Sequence, residues 1–220
     1  MGRTQAFDTS EAVRSARDVF WDKGFEGTSL TDLEAATGLS RSSLYHAFTS
    51  KRGLFDAAVQ DYLDTIIRPR LRVLITEPIP ADAVQRYFNG LIQAINSLPE
   101  NSPRLGCLLV NSAGFASHDE ALRLVVDSYR SELGDAIERA LASRFADATA
   151  DALAQRSRIL TSLSVSALLV ARVNRREAVS ILASALDLLA SWESTRESPL
   201  DGIAQLRPVA VDHEAQRLIV

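Results

Sequence analysis

The run from Thr28 to Leu54, TSLTDLEAATGLSRSSLYHAFTSKRGL, constrains the fold most, because its helix start and stop signals follow one another with room only for tight turns between them. Ser29 is placed to cap a helix beginning at Leu30, and Asp32, three residues on, to return a bond to the Ser29 amide in a capping-box pattern. Gly38 ends that helix, since the residue past a last turn commonly needs positive φ, which glycine adopts without a Cβ penalty; Leu39 then folds back onto the apolar face. Ser40 restarts the chain as a second N-cap. In the helix that follows, Leu44 and Phe48 lie four apart on one face and leave Arg41, Ser42, Ser43, Tyr45 and His46 pointing elsewhere. Ser50 offers a third cap, and Lys51 and Arg52 open a longer helix in which Leu54, Phe55, Ala58, Tyr62 and Leu63 recur at core-facing spacing. Two short capped helices joined by a glycine turn are a device for laying the second into a DNA groove.

With these residues the chain resembles the TetR/AcrR family of transcriptional regulators, whose N-terminal three-helix unit carries the pattern GxxxTSLxDLxxxxGLSxxSLYxxFxSKxxLF. The resemblance is close from the opening helix through Phe55 and rests on the helical pattern alone over most of the remainder. It implies an all-α protein: a helix-turn-helix DNA-binding domain over residues 1–52, then a larger helical effector-binding and dimerisation domain over 53–220. It assigns Arg41, Ser42 and Ser43 to base edges in the major groove, and Thr28, Ser29, Tyr45, His46 and Lys51 to the phosphate backbone. One departure is Glu34, where family members often carry alanine. Beside the stripe Leu30, Leu33, Thr37, its carboxylate is expected to snorkel outward to water or a basic partner, because desolvation would cost a few kcal/mol.

The whole composition agrees with a globular helical chain. At 220 residues it suffices for one large or two small domains, and its apolar runs, such as VSALLVARV, are too short or interrupted to span a bilayer. No apolar signal core opens it, and the single cysteine, Cys107, forms no internal disulfide, so a cytoplasmic protein without membrane contact is expected. The formal charge of −4 excludes a protein that coats nucleic acid everywhere. Arg3, Arg14, Arg17, Lys23, Arg41, Lys51 and Arg52 are balanced in the first quarter by acids that must sit mainly off a docking face.

Along the chain, Thr9 to Gly24 reads as the opening helix, with Gly24 and Gly27 ending it. The helix from Lys51 should run to about Ile66, where Pro69 bends or ends the ladder before Leu71 to Ile75. Asp82 is placed to cap a helix reaching about Leu98; Arg104 to Ser117 reads as a buried helix or part of one, and Asp119 to Phe145 as an amphipathic helix. Thr149 to Val173 and Arg175 to about Ser194 make two long helices parted at Asn174, resembling the pair through which family members dimerise. Leu160, Leu163, Leu168, Ile181, Leu182, Leu186 and Leu189 are the expected interface of that homodimer. The tail from Pro199 carries no motif.

The implied function is a ligand-responsive regulator, in the first instance a repressor, that binds a palindromic double-stranded operator as a homodimer and is released by a small-molecule effector. Pocket candidates are Tyr62, Tyr87, Phe88, Leu91, Cys107, Asn111, Phe115 and Tyr129. An alternative is a thiol-based sensor of oxidants or electrophiles through Cys107, which requires exposure and a pKa-lowering neighbour such as Arg104. A helical interaction protein that does not bind DNA is a third reading. His46, His118 and His213 are widely spaced, and no catalytic constellation, metal-ligand spacing or phosphate loop occurs, so neither enzyme activity nor a cofactor is expected.

Overall fold

A computed structural model describes residues 8–100, 102–116 and 118–197, and every regular element in them is helical. The expected N-terminal unit forms from α1 (Thr9–Gly27), α2 (Leu30–Thr37) and α3 (Arg41–Phe48), packed on α4 (Lys51–Tyr62). Helix α1 outruns its expected end: the chain kinks at Gly24, where φ is 71°, and continues one turn to Gly27. Phe20, Phe25 and Phe55 then meet as an aromatic cluster, Phe55 lying 5.1 Å from each of the other two ring centroids at steep angles that suit the ring quadrupoles.

The bend before Pro69 takes the form of a π turn, Leu63–Ile67, that leads without a break into α5 (Arg68–Ile75). Proline has no N–H to continue the ladder and its ring presses on the carbonyl four residues back; a wider turn absorbs both effects. Helix α6 (Ala83–Ser97) starts where expected, but Asp82 does not cap it: its carboxylate pairs with Arg86 one turn on, at 2.8 Å. Residues 104–116 give two short turns, α7 (Leu108–Asn111) and α8 (Ala113–Ala116), in place of one helix.

The larger unit is completed by α9 (Glu120–Arg144), α10 (Ala150–Val170) and α11 (Arg175–Glu197). Asp119, Thr149 and Asn174 cap them by accepting from the N–H groups of Leu122, Ala152 and Glu177. Helix α10 packs on both α9 and α11, and α11 on α6. This corrects part of the expected dimer face. Leu160, Leu168, Leu182 and Leu189 are buried within the chain, whereas Leu163, Ile181 and Leu186 are half-buried. The apolar side chains left outermost on α10 are Ile159 and Leu169, followed by Val173 just past its end. Counting leucines cannot separate these groups, because both faces of α10 are apolar. The tail from Pro199 lies outside the described residues.

Gly53 is demanded by close approach between backbones. A Cβ on Gly53 would stand 2.1 Å from the Phe48 carbonyl oxygen, so the first turn of α4 can lie against the end of α3 only without a side chain there. Gly90, on the exposed side of α6, has nothing within 4 Å of its notional Cβ. Alanine is the better helix former at both sites by about 0.5–1 kcal/mol. Gly90→Ala should therefore raise the melting temperature, while Gly53→Ala should lower it, at a cost of about 1–3 kcal/mol of stability as the overpacked α3–α4 corner shifts. Thermal denaturation followed by circular dichroism checks both signs.

Candidate nucleic-acid interface

The reading surface is built by caps. The Ser29 hydroxyl accepts from the Asp32 N–H at 3.1 Å while the Asp32 carboxylate accepts from the Ser29 N–H at 2.9 Å, closing the capping box. Lys23 adds an ion pair to Asp32 at 2.5 Å, and this ammonium, with the Ser29 donors, holds the Asp32 carboxyl well below the usual carboxylate range. Gly38 ends α2 with φ 68°, in the left-handed region. The Ser40 hydroxyl then accepts from the Ser43 N–H and lies 2.9 and 3.0 Å from the hydroxyls of Ser42 and Ser43. Ser50 accepts from the Gly53 N–H. Every cap expected in this segment is present.

Glu34 departs from expectation. Its carboxylate accepts from the backbone N–H of Arg41 at 2.6 Å, so a half-buried acid satisfies a first-turn donor of α3 instead of reaching outward to water or a cation. A negative group there is favoured by the helix dipole, and it fixes the angle at which α3 leaves α2.

With Leu44 buried and Phe48 half-buried, Arg41, Ser42, Tyr45 and His46 stand exposed on the opposite side of α3. Among the described residues, the side chains of Arg41, Tyr45 and His46 have no hydrogen-bond or ion-pair partner. Ser43 is half-buried in the serine cluster. Lys51 sits at the α4 N-terminus with its ammonium 4.5 Å from the Phe25 ring centroid, a cation–π contact that orients it without neutralising it. Thr28 does not belong to this surface: it is 2% exposed and its hydroxyl donates to the Gly24 carbonyl at 2.6 Å, which secures the kink in α1.

Arginines tie this unit to the rest of the molecule. Arg104 pairs with Asp18 of α1 at 2.5 Å, and Asp18 also holds Arg17, which reaches Asp61 of α4 at 2.7 Å and the Thr65 hydroxyl in the π turn at 3.1 Å. Arg172, beyond α10, donates to the Trp21 carbonyl and the Asp22 carboxylate, and Arg52 of α4 pairs with Asp119 at the start of α9. The ties of Arg104, Arg172, Arg52 and the Arg17–Asp61 pair were not legible in sequence, because their partners are far apart along the chain.

The pocket candidates separate. Tyr62, Tyr87, Phe88, Cys107 and Tyr129 are all buried, and the three phenols surround the Cys107 thiol closely enough to interact with it electrostatically. They form a packed polar knot, in which Tyr87 and Ser164 share a 3.2 Å hydrogen bond. Asn111 is half-buried with its side-chain amide nitrogen unpaired, and the Phe115 side chain lies outside the described residues. Of the candidates whose side chains are described, only Leu91 lines the open cavity beside the knot. That space, about 220 Å³, is walled by Trp21, Ile66, Arg70, Leu91, Ile95 and Leu168 among others. Burial pushes the Cys107 thiol up and Arg104 is engaged with Asp18, so neither condition for a reactive thiolate is met.

Residues 12–58 match the family model described as bacterial regulatory proteins, tetR family. The chain is 32% identical over 142 residues to the uncharacterized HTH-type transcriptional regulator YezE of Bacillus subtilis (strain 168), covering 64% of this chain and 72% of that one. It is 34% identical over 119 residues to the HTH-type transcriptional repressor ComR of Escherichia coli (strain K12), a match that spans 54% of this chain and 55% of the relative. Among solved structures, a cysteine mutant of the TetR family transcriptional regulator CifR, complexed with 26-base-pair operator DNA, shares 30% identity at a TM-score of 0.70. That likeness covers 84% of this chain and 98% of the other.

The phenol knot has a pH signature. Burial raises Tyr87 from its ordinary value near 10 to about 12, and carries Tyr62 and Tyr129 well above 10. The unfolded chain ionises first, so the stability these groups contribute is complete below pH about 10 and is lost as pH rises toward about 12. Melting temperature should fall across that window, and Tyr87→Phe should make the fall shallower. An equally steep loss in the variant would count against a buried neutral phenol at this position.

Proposed function

The chain belongs to the tetR family of bacterial regulatory proteins, and we propose that it works as a repressor, binding a near-palindromic operator as a homodimer and releasing it when a small-molecule effector occupies the larger domain. The observation that carries this reading is the outer face of α3, where Arg41, Tyr45 and His46 are exposed and hold no partner among the described residues, while neighbouring carboxylates are engaged elsewhere. Unspent donors on a capped helix fit a groove-reading surface.

In this reading Arg41 pairs with guanine acceptors, and Ser42 and Ser43 adapt to adjoining bases or phosphates. Tyr45, His46, Ser29 and Lys51 hold the backbone and set register. The second copy docks on the outer side of α10 and α11. Ile159, Leu163, Val170 and Val173 recur there at spacings of four, seven and three residues, beside the half-buried Ile181 and Leu188 of α11. A twofold axis through that contact presents two α3 helices to inverted half-sites. No described helix is long and apolar enough to cross a membrane, and the proposed role places the protein with the chromosome in the cytoplasm, acting as a regulator and not as an enzyme.

Selection of bound fragments from random duplex DNA by the purified protein tests the reading. Two inverted half-sites should be enriched; a pool with no preferred sequence would refute it. On the selected site Arg41→Ala should cost about 1–3 kcal/mol and relax specificity at one position per half-site. Lys51→Ala should weaken cognate and random DNA alike and reduce the slope of log K against log salt by about one per half-site.

A further inference from the structure

The cavity beside the phenol knot is mainly apolar, yet it contains cations that the fold leaves incompletely used. Ile66, Leu91, Ile95, Leu98, Leu105 and Leu168 supply its hydrocarbon wall. Arg70, half-buried, lines it from α5 and has no carboxylate or hydrogen-bond partner among the described residues. Arg104 lines it from the 104–106 loop, with its guanidinium bound to Asp18. Trp21, 2% exposed, forms part of the wall from α1, and its indole N–H meets no acceptor. A half-buried guanidinium without a counterion and a buried N–H without an acceptor are both costly unless something completes them.

We propose that this cavity takes a small aliphatic monocarboxylate, whose chain lies on the apolar wall and whose carboxylate pairs with Arg70 and competes with Asp18 for Arg104. The inference deepens the proposed function by naming the effector's chemistry and its route to the DNA-reading unit. A carboxylate offers a guanidinium two oxygens, and an organic anion with a short hydrocarbon chain suits a cavity of about 220 Å³. An amine would meet two arginines. A sugar would leave hydroxyls unpaired against the leucines and isoleucines.

The position makes occupancy consequential. Trp21 belongs to α1, which packs on α2 and α4, and Ile66 to the π turn that follows α4, so a bound molecule touches the frame against which α2 and α4 hold α3. When the ligand draws Arg104 away, Asp18 keeps only Arg17, the residue that also holds Asp61 of α4 and Thr65 of the π turn. The effector then acts by differential affinity: it favours the arrangement in which the Arg104–Asp18 tie is open, and DNA favours the other.

Calorimetry of the full-length protein without DNA, titrated with hexanoate, hexanamide and hexylamine, tests the site itself. Hexanoate should bind, hexanamide about tenfold more weakly or worse, and hexylamine not at all. Arg70→Gln should lower hexanoate affinity about tenfold and erase the preference for acid over amide. Ala94→Leu, which narrows the cavity from α6 and leaves both arginines in place, should weaken acid and amide together, so the prediction survives if the arginine variant does not fold. Equal binding of acid and amide, absence of binding by all three, or a preference that persists in Arg70→Gln overturns the proposal. On the selected operator, hexanoate should lower the affinity of the wild type, and lower it less in Asp18→Asn, where the tie is already cut; an undiminished response would remove the competition step. If no operator is selected, the repressor reading fails by itself, and calorimetry still decides the carboxylate site.

Discussion

Helix α1 is the shared wall on which both halves of the molecule are built, and two adjacent residues divide its work. Phe20 turns into the cluster with Phe25 and Phe55 and so holds the DNA-reading unit to α4. Trp21 turns the other way, edge-on to Tyr62 at 4.9 Å, and becomes part of the cavity wall. Successive helical residues point about 100° apart, so one helix can serve two cores at once. Each of these aromatic side chains contributes about 1.5–3 kcal/mol when fully buried, more than any exposed ion pair in the structure. Apolar burial thus fixes where the reading unit sits, and the ionic ties across the seam adjust its angle.

That division suits regulation. Exposed ion pairs of the Arg104–Asp18 or Arg172–Asp22 kind are worth about 0–1 kcal/mol each, whereas allosteric coupling typically amounts to about 1–3 kcal/mol. A few such ties, made or broken together, span that range without disturbing the aromatic core. The Arg17–Asp61 pair is different: Arg17 is 7% exposed, and removing it would strand the Asp61 carboxylate, so it belongs to the fixed part of the frame. The π turn lies next to it and gives the α4–α5 connection a joint at the point where the fixed and adjustable parts meet.

What the sequence made legible was local. Ser29 with Asp32, Gly38, Ser40 and Ser50 each act within four residues of their own position, so their meaning survives without knowledge of the rest of the fold. Glu34 was misread because its partner, the Arg41 N–H, lies across the turn, where chain direction and not composition decides what a carboxylate meets. The leucines of α10 and α11 were misread for a related reason. Hydrophobicity marks a residue for burial but does not say whether its own chain or a second copy will cover it, and Leu160, Leu168, Leu182 and Leu189 are covered by their own chain. The three tyrosines and Cys107, expected to line a pocket, pack together instead as a buried knot. Space is a property of what packing leaves over, and no single residue encodes it.

The acidic net charge becomes intelligible once partners are assigned. Asp32 is bound to Lys23, Asp22 to Arg172, and Asp18 to Arg17 and Arg104, so several of the acids that balance the basic residues of the first quarter on paper are engaged along the seam and at caps. Arg41 has no such partner, and Lys51 is held by the face of Phe25 instead of a carboxylate, which orients its charge and leaves it uncancelled. A chain of overall negative charge can therefore present a locally positive reading edge. In the proposed reading, affinity for duplex DNA then depends on a few placed contacts, not on bulk attraction, and specificity comes from α3, whose outer donors have no partner among the described residues.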